Sequence, residues 1–208
     1  NIEIVDIRDS NSIKLSIRSD ASSEFLQWFY FSISGVSGKK CDVSIVNAGQ
    51  TSYARGWVDY DVVTSVDRHG WYRTPGRFDG SALSWTVDTE ADIVWFAYFA
   101  PYTLEQHAEL VASAACAPGV EYRSLGQTHQ GRSIDYLKVA ALSTGSSNDP
   151  VNQARKQLWV IARQHPGEPM AEWWMEGWID RLLDEEDATS RALRQLADIH
   201  IVPNMNPD

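Results

Sequence analysis

The chain of 208 residues has few cysteines, no long apolar run and no excess of positive charge. Its two cysteines, Cys41 and Cys116, form no disulfide framework, and we expect both to be reduced and buried. No apolar stretch is long enough to cross a bilayer. Residues 1–10 alternate between apolar and polar side chains, which is typical of a strand and unlike a signal peptide. The net charge of −10 disfavours nucleic acid and anionic membranes as partners. Together these absences favour a cytoplasmic protein.

Residues 1 to about 100 have the pattern of an all-β domain. Short segments of alternating apolar and polar residues are separated by turn-forming residues such as Gly, Asn, Asp and Pro. The predicted strands are residues 2–5, 13–17, 25–31, 43–46, 57–60, 62–66, 83–87 and 93–99. Short strands at this spacing are typical of a β-sandwich.

Five tryptophans stand out in this first segment, at Trp28, Trp57, Trp71, Trp85 and Trp95. We expect them to fill the core of the sandwich or its interface with a neighbouring domain, because aromatic residues are enriched in strands. The alternative is a platform of exposed rings that stacks on carbohydrate.

The pattern changes near residue 101 to a mixture of helices and strands. Thr103 and Gln106 have the spacing of a capping box, which predicts a helix from there to about Cys116. The next predicted elements are strands over 122–125 and 134–141, a loop over 142–152, a strand over 158–162, a long helix, a short helix over 190–197 and a strand over 198–203. This order predicts an α/β fold with a mixed sheet and flanking helices.

The strand over 158–162 and the long helix after it frame the candidate site. The apolar run of the strand predicts a buried strand. The helix, with Pro169 in its first turn, is predicted to bury the face that carries Met170, Trp173, Trp174, Gly177 and Trp178. The loop between the two elements lies at the carboxyl end of a strand, where open α/β sheets bind their ligands.

Two residues of this loop, His165 and Glu168, are candidate metal ligands. The turn at Pro166 and Gly167 allows the imidazole and the carboxylate to converge on one ion, and both groups suit zinc. The alternative is structural, with the histidine bonded to a carbonyl and the glutamate favoured near a helix N-terminus. Arg163 lies two residues before His165. It could pair with Glu168 or orient the site, or form a surface ion pair.

The other polar residues near these elements are expected to have structural roles. His107 is predicted to be solvated or to cap its helix, and His129 to be exposed in a turn. His200 alternates with isoleucines on a strand, which places it away from the metal site. Asn206, Pro207 and Asp208 are expected to form a turn.

Four segments, in order along the chain, carry a resemblance to a known family. They are FAYFAPYT at 96–103, LGQT with GRSI at 125–134, RQHPGE at 163–168 and IVPNMNPD at 201–208. They resemble, in that order, four parts of the zinc carboxypeptidases, and specifically of the cytosolic carboxypeptidase branch of that family. These parts are the domain junction, a hairpin, the metal-binding loop and the strand that ends in Asn-Pro-Asp. The resemblance covers about Trp95 to Asp208. Before Trp95 it rests only on an all-β domain of suitable size.

The resemblance implies a zinc-dependent metallocarboxypeptidase, a hydrolase that removes a C-terminal residue, glutamate being one candidate, from a peptide or protein. It makes His165 and Glu168 two of the zinc ligands. The second metal-binding histidine, the carboxylate-binding residues and the general base of the family all follow the Asn-Pro-Asp strand. We therefore expect a β-sandwich domain over 1–101 and the N-terminal part of an α/β carboxypeptidase domain over 102–208, inactive by itself.

Two other functions remain open at this stage. Zinc amidohydrolases of the succinylglutamate desuccinylase and aspartoacylase kind also place a His-x-x-Glu loop after a strand. A leading sandwich domain and the Pro-Gly between the ligands favour the carboxypeptidase. A non-catalytic protein could instead bind partners through its β-sandwich, and the intact His165 and Glu168 argue against that interpretation.

Overall fold

The computed structural model describes residues 1–9, 12–140 and 155–208, so the loop predicted over 142–152 lies outside the described residues. The chain divides into two compact units, Asn1–Ala100 and Pro101–Asp208. Each unit has its own hydrophobic core.

The first unit is all-β and contains two sheets. Its described strands are β1 (Ile2–Ile7), β2 (Ile13–Ile17), β3 (Tyr30–Ser34), β4 (Lys39–Ile45), β5 (Val62–Ser65), β6 (Tyr72–Thr74), β7 (Gly76–Phe78), β8 (Leu83–Thr89) and β9 (Ile93–Ala97). One sheet has the order β1-β2-β4-β8-β7 and the other the order β3-β9-β5-β6. The core contains residues of both sheets, and the rings of Trp85 on β8 and Phe96 on β9 lie 5.4 Å apart. The two sheets therefore pack against each other through one core.

Two of the predicted strands are wrong at their positions. Within 25–31 only the last two residues belong to a strand, and Trp57 ends a short 3-10 helix, Ala54–Trp57. The apolar pattern correctly indicated burial, because Phe29 and Trp57 are both fully buried. The carbonyl of Phe29 still accepts from the N–H of Tyr98, but other bonds of these segments run through side chains: Gln27 accepts from the N–H of Tyr53, and Trp57 donates to Thr51.

The tryptophans and cysteines of the chain are only partly placed as predicted. Trp57 and Trp85 lie in the core, whereas Trp28, Trp71 and Trp95 are half-buried. Both cysteines are free, and Cys41 is buried on β4. Cys116 is exposed, so its predicted burial is wrong, because it caps the C-terminus of a helix at the surface.

The second unit has the predicted α/β order. Its described elements are α1 (Leu104–Ala115), β10 (Val120–Gln127), β11 (Ser133–Val139), β12 (Lys156–Ile161), α2 (Met170–Leu183), α3 (Ala188–Leu196) and β13 (Ala197–Val202). The sheet order is β10-β11-β13-β12, with β12 parallel to β13 and the other pairs antiparallel. The mixed sheet is thus confirmed, and so is the capping box of Thr103 and Gln106 at the start of α1. Of the helices in the described ranges, none has the length and apolar character that crossing a membrane requires.

The predictions of which faces are buried on β12 and α2 are wrong. β12 lies at an edge among the described strands, and Trp159 on it is 56% exposed. On α2 the buried residues are Glu172, Met175, Ile179 and Leu182, while Trp174 is 55% exposed. Large apolar side chains surround this helix, so their positions did not indicate which face packs on the core.

Candidate metal centre

The loop between β12 and α2 starts from a fixed point on the sheet. Ala162, the first residue after β12, donates from its N–H to the carbonyl of Val202 at 3.0 Å. Its own carbonyl accepts from the N–H of Met205, also at 3.0 Å. These two bonds tie the start of the loop to the end of β13, so the loop leaves the sheet in a defined direction.

His165 and Glu168 converge at the tip of this loop. The N–H of Glu168 donates to the carbonyl of His165 at 3.1 Å, which closes a turn through Pro166 and Gly167. Nδ1 of His165 then lies 3.1 Å from Oε2 of Glu168. Their side chains are 69% and 55% exposed, so the pair is open to solvent. The structure therefore brings the two predicted ligands into direct contact on an exposed loop.

The donors of the pair fit zinc as two ligands of a larger set. Imidazole nitrogen and carboxylate oxygen are both zinc ligands, and a catalytic zinc takes three protein ligands and a water molecule. Among the described residues, no three His, Cys, Asp or Glu side chains form a group that could hold a metal. Within the described residues, the pair therefore offers two candidate ligands and no third.

Arg163 is anchored to Glu172 and not to Glu168. Its guanidinium donates through Nη1 to the Glu172 carboxylate and to the carbonyl of Tyr102 at 2.8 Å, and through Nε to the carbonyl of Pro166 at 3.2 Å. The backbone of Arg163 has φ 47°, in the left-handed region. Such a conformation costs about 1–3 kcal/mol and persists only where the surroundings enforce it, as these three hydrogen bonds do.

Glu172 is the buried centre of a network that the sequence analysis missed. Its side chain is 0% exposed, although it carries a charge. It accepts from Arg163, from Nδ1 of His107 at 2.8 Å and from Nδ2 of Asn204 at 3.1 Å. These donors come from the loop, from α1 and from the segment after β13, so one carboxylate joins three parts of the unit. A charged residue on the helix face that also carries Met175 and Ile179 was the signal available in the sequence.

His107 belongs to the same network, so its predicted solvated or capping role is wrong. It is only 6% exposed, and its Nε2 lies 3.0 Å from Oδ2 of Asp135. Both partners of the ring are carboxyl groups, which accept when ionised, so the arrangement favours a ring with a proton on each nitrogen. Burial lowers the pKa of His107, but the hydrogen bonds and charges of Glu172 and Asp135 outweigh it and raise the pKa above its ordinary value.

Asp135 is held in its charged form by further donors. It accepts from the hydroxyl of Ser133 at 2.7 Å and from that of Tyr122 at 2.9 Å. Burial raises its pKa, but these hydrogen bonds and His107 lower it below its ordinary value overall. The network therefore alternates cations and anions, with Arg163 and His107 against Glu172 and Asp135.

Stability is expected to fall with rising pH through the titration of His107. Its pKa is raised on folding, so its contribution is full below the unfolded value of about 6.5 and is lost as the pH rises through the folded value. The free energy of unfolding, measured in urea from pH 5 to about pH 9, should therefore decrease more steeply for the wild type than for His107→Gln. Parallel curves for the two proteins would contradict the charged histidine.

The remaining candidates lie outside this centre. His129 is exposed, as predicted. Nδ1 of His200 accepts from the hydroxyl of Tyr136 at 2.6 Å, its Nε2 lies 2.6 Å from Oε1 of Gln157, and its ring stacks on Trp159. Both of its nitrogens are thus occupied by neighbouring side chains.

The carboxylate of Asp208 binds the turn between β10 and β11. It accepts from the hydroxyl of Thr128 at 2.7 Å, from the N–H of Gln130 at 3.1 Å and from Arg132 at 2.8 Å. Two carboxylate oxygens therefore fix three groups of one turn, which is a structural role.

Comparison with known families matches both units of the chain. A family described as "Cytosolic carboxypeptidase N-terminal domain" matches residues 1–99, and one described as "Zinc carboxypeptidase" matches residues 107–208. The second match contains the loop that carries His165 and Glu168. The four segments singled out in the sequence thus lie in or next to regions that the two families cover.

Several individual proteins are similar over the whole chain. An uncharacterised protein of Zymomonas mobilis is 42% identical over 208 residues, and a cytosolic carboxypeptidase of Homo sapiens is 27% identical over 99% of the chain. A solved metallo-carboxypeptidase of Pseudomonas aeruginosa has a TM-score of 0.90 with 42% identity, and a putative carboxypeptidase of Burkholderia mallei has 0.91 with 38%. Both structures match 100% of the chain.

The chain spans only part of each of these proteins. It covers 51% of the Zymomonas protein, 20% of the human one, 53% of the Pseudomonas structure and 52% of the Burkholderia structure.

Proposed function

Because the chain belongs to the zinc carboxypeptidase family, in its cytosolic carboxypeptidase branch, we propose that it carries part of the metal centre of a metallocarboxypeptidase. His165 and Glu168 are two zinc ligands of this centre. The observation that supports this assignment is their convergence at 3.1 Å on an open loop after β12. The loop lies within the zinc carboxypeptidase match.

The chemistry of the centre depends on the bound ion and on the loop that presents the ligands. Zinc in such a site polarises a water molecule and the scissile carbonyl, which stabilises the charge that develops in the transition state. The residues of this chain bind the ion through His165 and Glu168, while Arg163 orients the loop through its bonds to Glu172 and Pro166.

The described residues alone are expected to be insufficient for turnover. They supply two metal ligands, and a catalytic zinc requires three. We therefore propose that the polypeptide of 208 residues is inactive by itself. The proposal for the full-length protein is a cytoplasmic enzyme that acts on the C-terminus of a peptide or protein. The vertebrate relatives are named cytosolic carboxypeptidases.

We propose glutamate as the first candidate for the C-terminal residue that is removed. The solved Pseudomonas protein is described in complex with (2-guanidinoethylmercapto)succinic acid. This compound carries two carboxyl groups and a cationic guanidinium group, so its binding does not distinguish acidic from basic C-terminal residues. We propose that the same compound binds the full-length protein in the presence of zinc, which makes it a competitor for substrate assays.

A substrate panel tests the reaction class. Full-length protein loaded with zinc is incubated with peptides that end in glutamate, with peptides that end in other residues and with N-acyl amino acids. We expect release of the C-terminal residue from peptides and no cleavage of N-acyl amino acids. The protein with His165→Ala serves as the control for contaminating peptidases.

Cleavage of N-acyl amino acids, without release of C-terminal residues from peptides, identifies an amidohydrolase of the desuccinylase and aspartoacylase kind. Zinc binding without cleavage of any substrate favours a binding protein that acts through the β-sandwich. Either result contradicts the proposed peptidase.

A further inference from the structure

We propose that Glu172 is a positioning residue that fixes the loop conformation in which His165 and Glu168 bind a divalent metal ion. This inference rests on the proposed function of that pair as metal ligands. Glu172 is itself buried in the unit, and its side chain bonds to Arg163, His107 and Asn204. Its influence on the ligands must therefore pass through these neighbours.

The first connection runs through Arg163. Glu172 holds the guanidinium at Nη1, and the Nε of the same guanidinium donates to the carbonyl of Pro166 at 3.2 Å. Pro166 directly follows His165 in the chain. The backbone of Arg163 is kept at φ 47°, which a free arginine would leave for a less strained conformation. Loss of Glu172 would release this side of the loop.

The second connection runs through Asn204. Its Nδ2 donates to Glu172 at 3.1 Å, and its Oδ1 accepts from the N–H of Asn206 at 3.1 Å. The side chain of Asn206 then donates through Nδ2 to the carbonyl of Gln164 at 3.4 Å. Gln164 directly precedes His165. The residues on both sides of His165 are therefore held by chains of hydrogen bonds that meet at Glu172.

A buried carboxylate suits this role because it can accept several strong hydrogen bonds at once. A charge out of water is costly unless it is paired and bonded. Here Arg163 and His107 provide two cations, and Asp135 balances the second of them. Mutation of a residue that holds metal ligands in place typically lowers the metal affinity about 10- to 100-fold.

The test measures zinc affinity in the full-length protein by competition with a chromophoric chelator. Glu172→Gln keeps the size of the side chain and removes its charge. Arg163→Met/Glu172→Leu removes a cation and an anion together, so that His107 keeps Asp135 as its counter-charge and the interior remains balanced. We expect both proteins to lose about 10- to 100-fold in zinc affinity. At saturating Co²⁺, both should show a changed visible absorption spectrum.

A matched control lies in the same unit. Asp198 forms a partly buried ion pair with Arg155 at 2.6 Å, at the opposite end of β12 and β13 from the loop. The protein with Asp198→Asn loses this pair and should keep the wild-type zinc affinity and Co²⁺ spectrum. An equal loss in this control would show that general destabilisation, and not positioning, lowers the affinity.

The outcomes separate this inference from the proposed function. Folded Glu172 variants that bind zinc with wild-type affinity and an unchanged Co²⁺ spectrum overturn the positioning role and leave the metal site intact. If Glu172→Gln does not fold, the double variant decides by the same criteria. A wild-type protein whose zinc affinity does not depend on His165 overturns the proposed function, and this inference with it.

Discussion

Replacing His165 with alanine is expected to reduce the zinc affinity of the full-length protein by about 100- to 1,000-fold. Zinc sites with four protein ligands bind with about 10–16 kcal/mol, or about 2.5–4 kcal/mol for each ligand, and each 1.4 kcal/mol is about tenfold in affinity. The imidazole of His165 is one of two donors that the structure brings together on the loop. Peptidase activity should fall with the bound zinc, measured as zinc content and as release of the C-terminal residue.

Two other histidines provide controls for this substitution. His129 is exposed in a turn, so His129→Ala should bind zinc like the wild type. His200 is bonded to Tyr136 and Gln157, so His200→Ala should also retain the metal. Zinc binding that survives His165→Ala and is lost in His200→Ala would move the site to β13 and contradict the assignment.

Replacing Glu172 with leucine is expected to lower the free energy of unfolding by about 3–5 kcal/mol, the usual result of removing one partner from a buried ion pair. Leucine leaves Arg163 and His107 without the carboxylate that both contact, and it leaves Nδ2 of Asn204 without its acceptor. Urea denaturation at pH 7 measures this loss through the midpoint at a constant slope.

The double substitution Arg163→Met/Glu172→Leu should recover part of that loss. Removing the arginine takes away the cation that lacks a counter-charge, since Asp135 still balances His107, and a well-packed apolar pair often replaces a buried ion pair at little cost. Recovery is incomplete because Asn204 still lacks its acceptor. A single variant whose stability lies within about 1 kcal/mol of the wild type, the net contribution of one ordinary hydrogen bond, would show that the network contributes little.

The parts of the fold that depend on residues close together in the chain were predictable from the sequence. The capping box joins Thr103 and Gln106, three positions apart, and the structure contains both of its hydrogen bonds. The order of helices and strands after residue 101 follows from local periodicity, and the mixed sheet follows from that order.

The wrong strand and helix-face predictions have one cause: an apolar pattern indicates that a segment is buried but not which groups it bonds to or packs against. The segments around Phe29 and Trp57 are apolar because they are buried, and the pattern did not reveal that several of their hydrogen bonds go to side chains and loops instead of a neighbouring strand. On α2, large apolar side chains surround the helix, so the pattern did not reveal that the buried face carries Glu172, Met175, Ile179 and Leu182.

The candidate site shows the same division between local and distant information. His165 and Glu168 are three positions apart on one turn, so their approach could be predicted. Glu172 and His107 are 65 positions apart, and His107 and Asp135 are 28 apart. No spacing rule connects residues at such separations, and only the fold brings them together.

The most direct test of the account is a crystal structure of the full-length protein grown with zinc, with anomalous data collected at the zinc edge. We expect an anomalous peak about 2.0–2.2 Å from Nδ1 of His165 and from a carboxylate oxygen of Glu168. A zinc peak bound elsewhere, with the side chains of His165 and Glu168 directed away from each other, would contradict it.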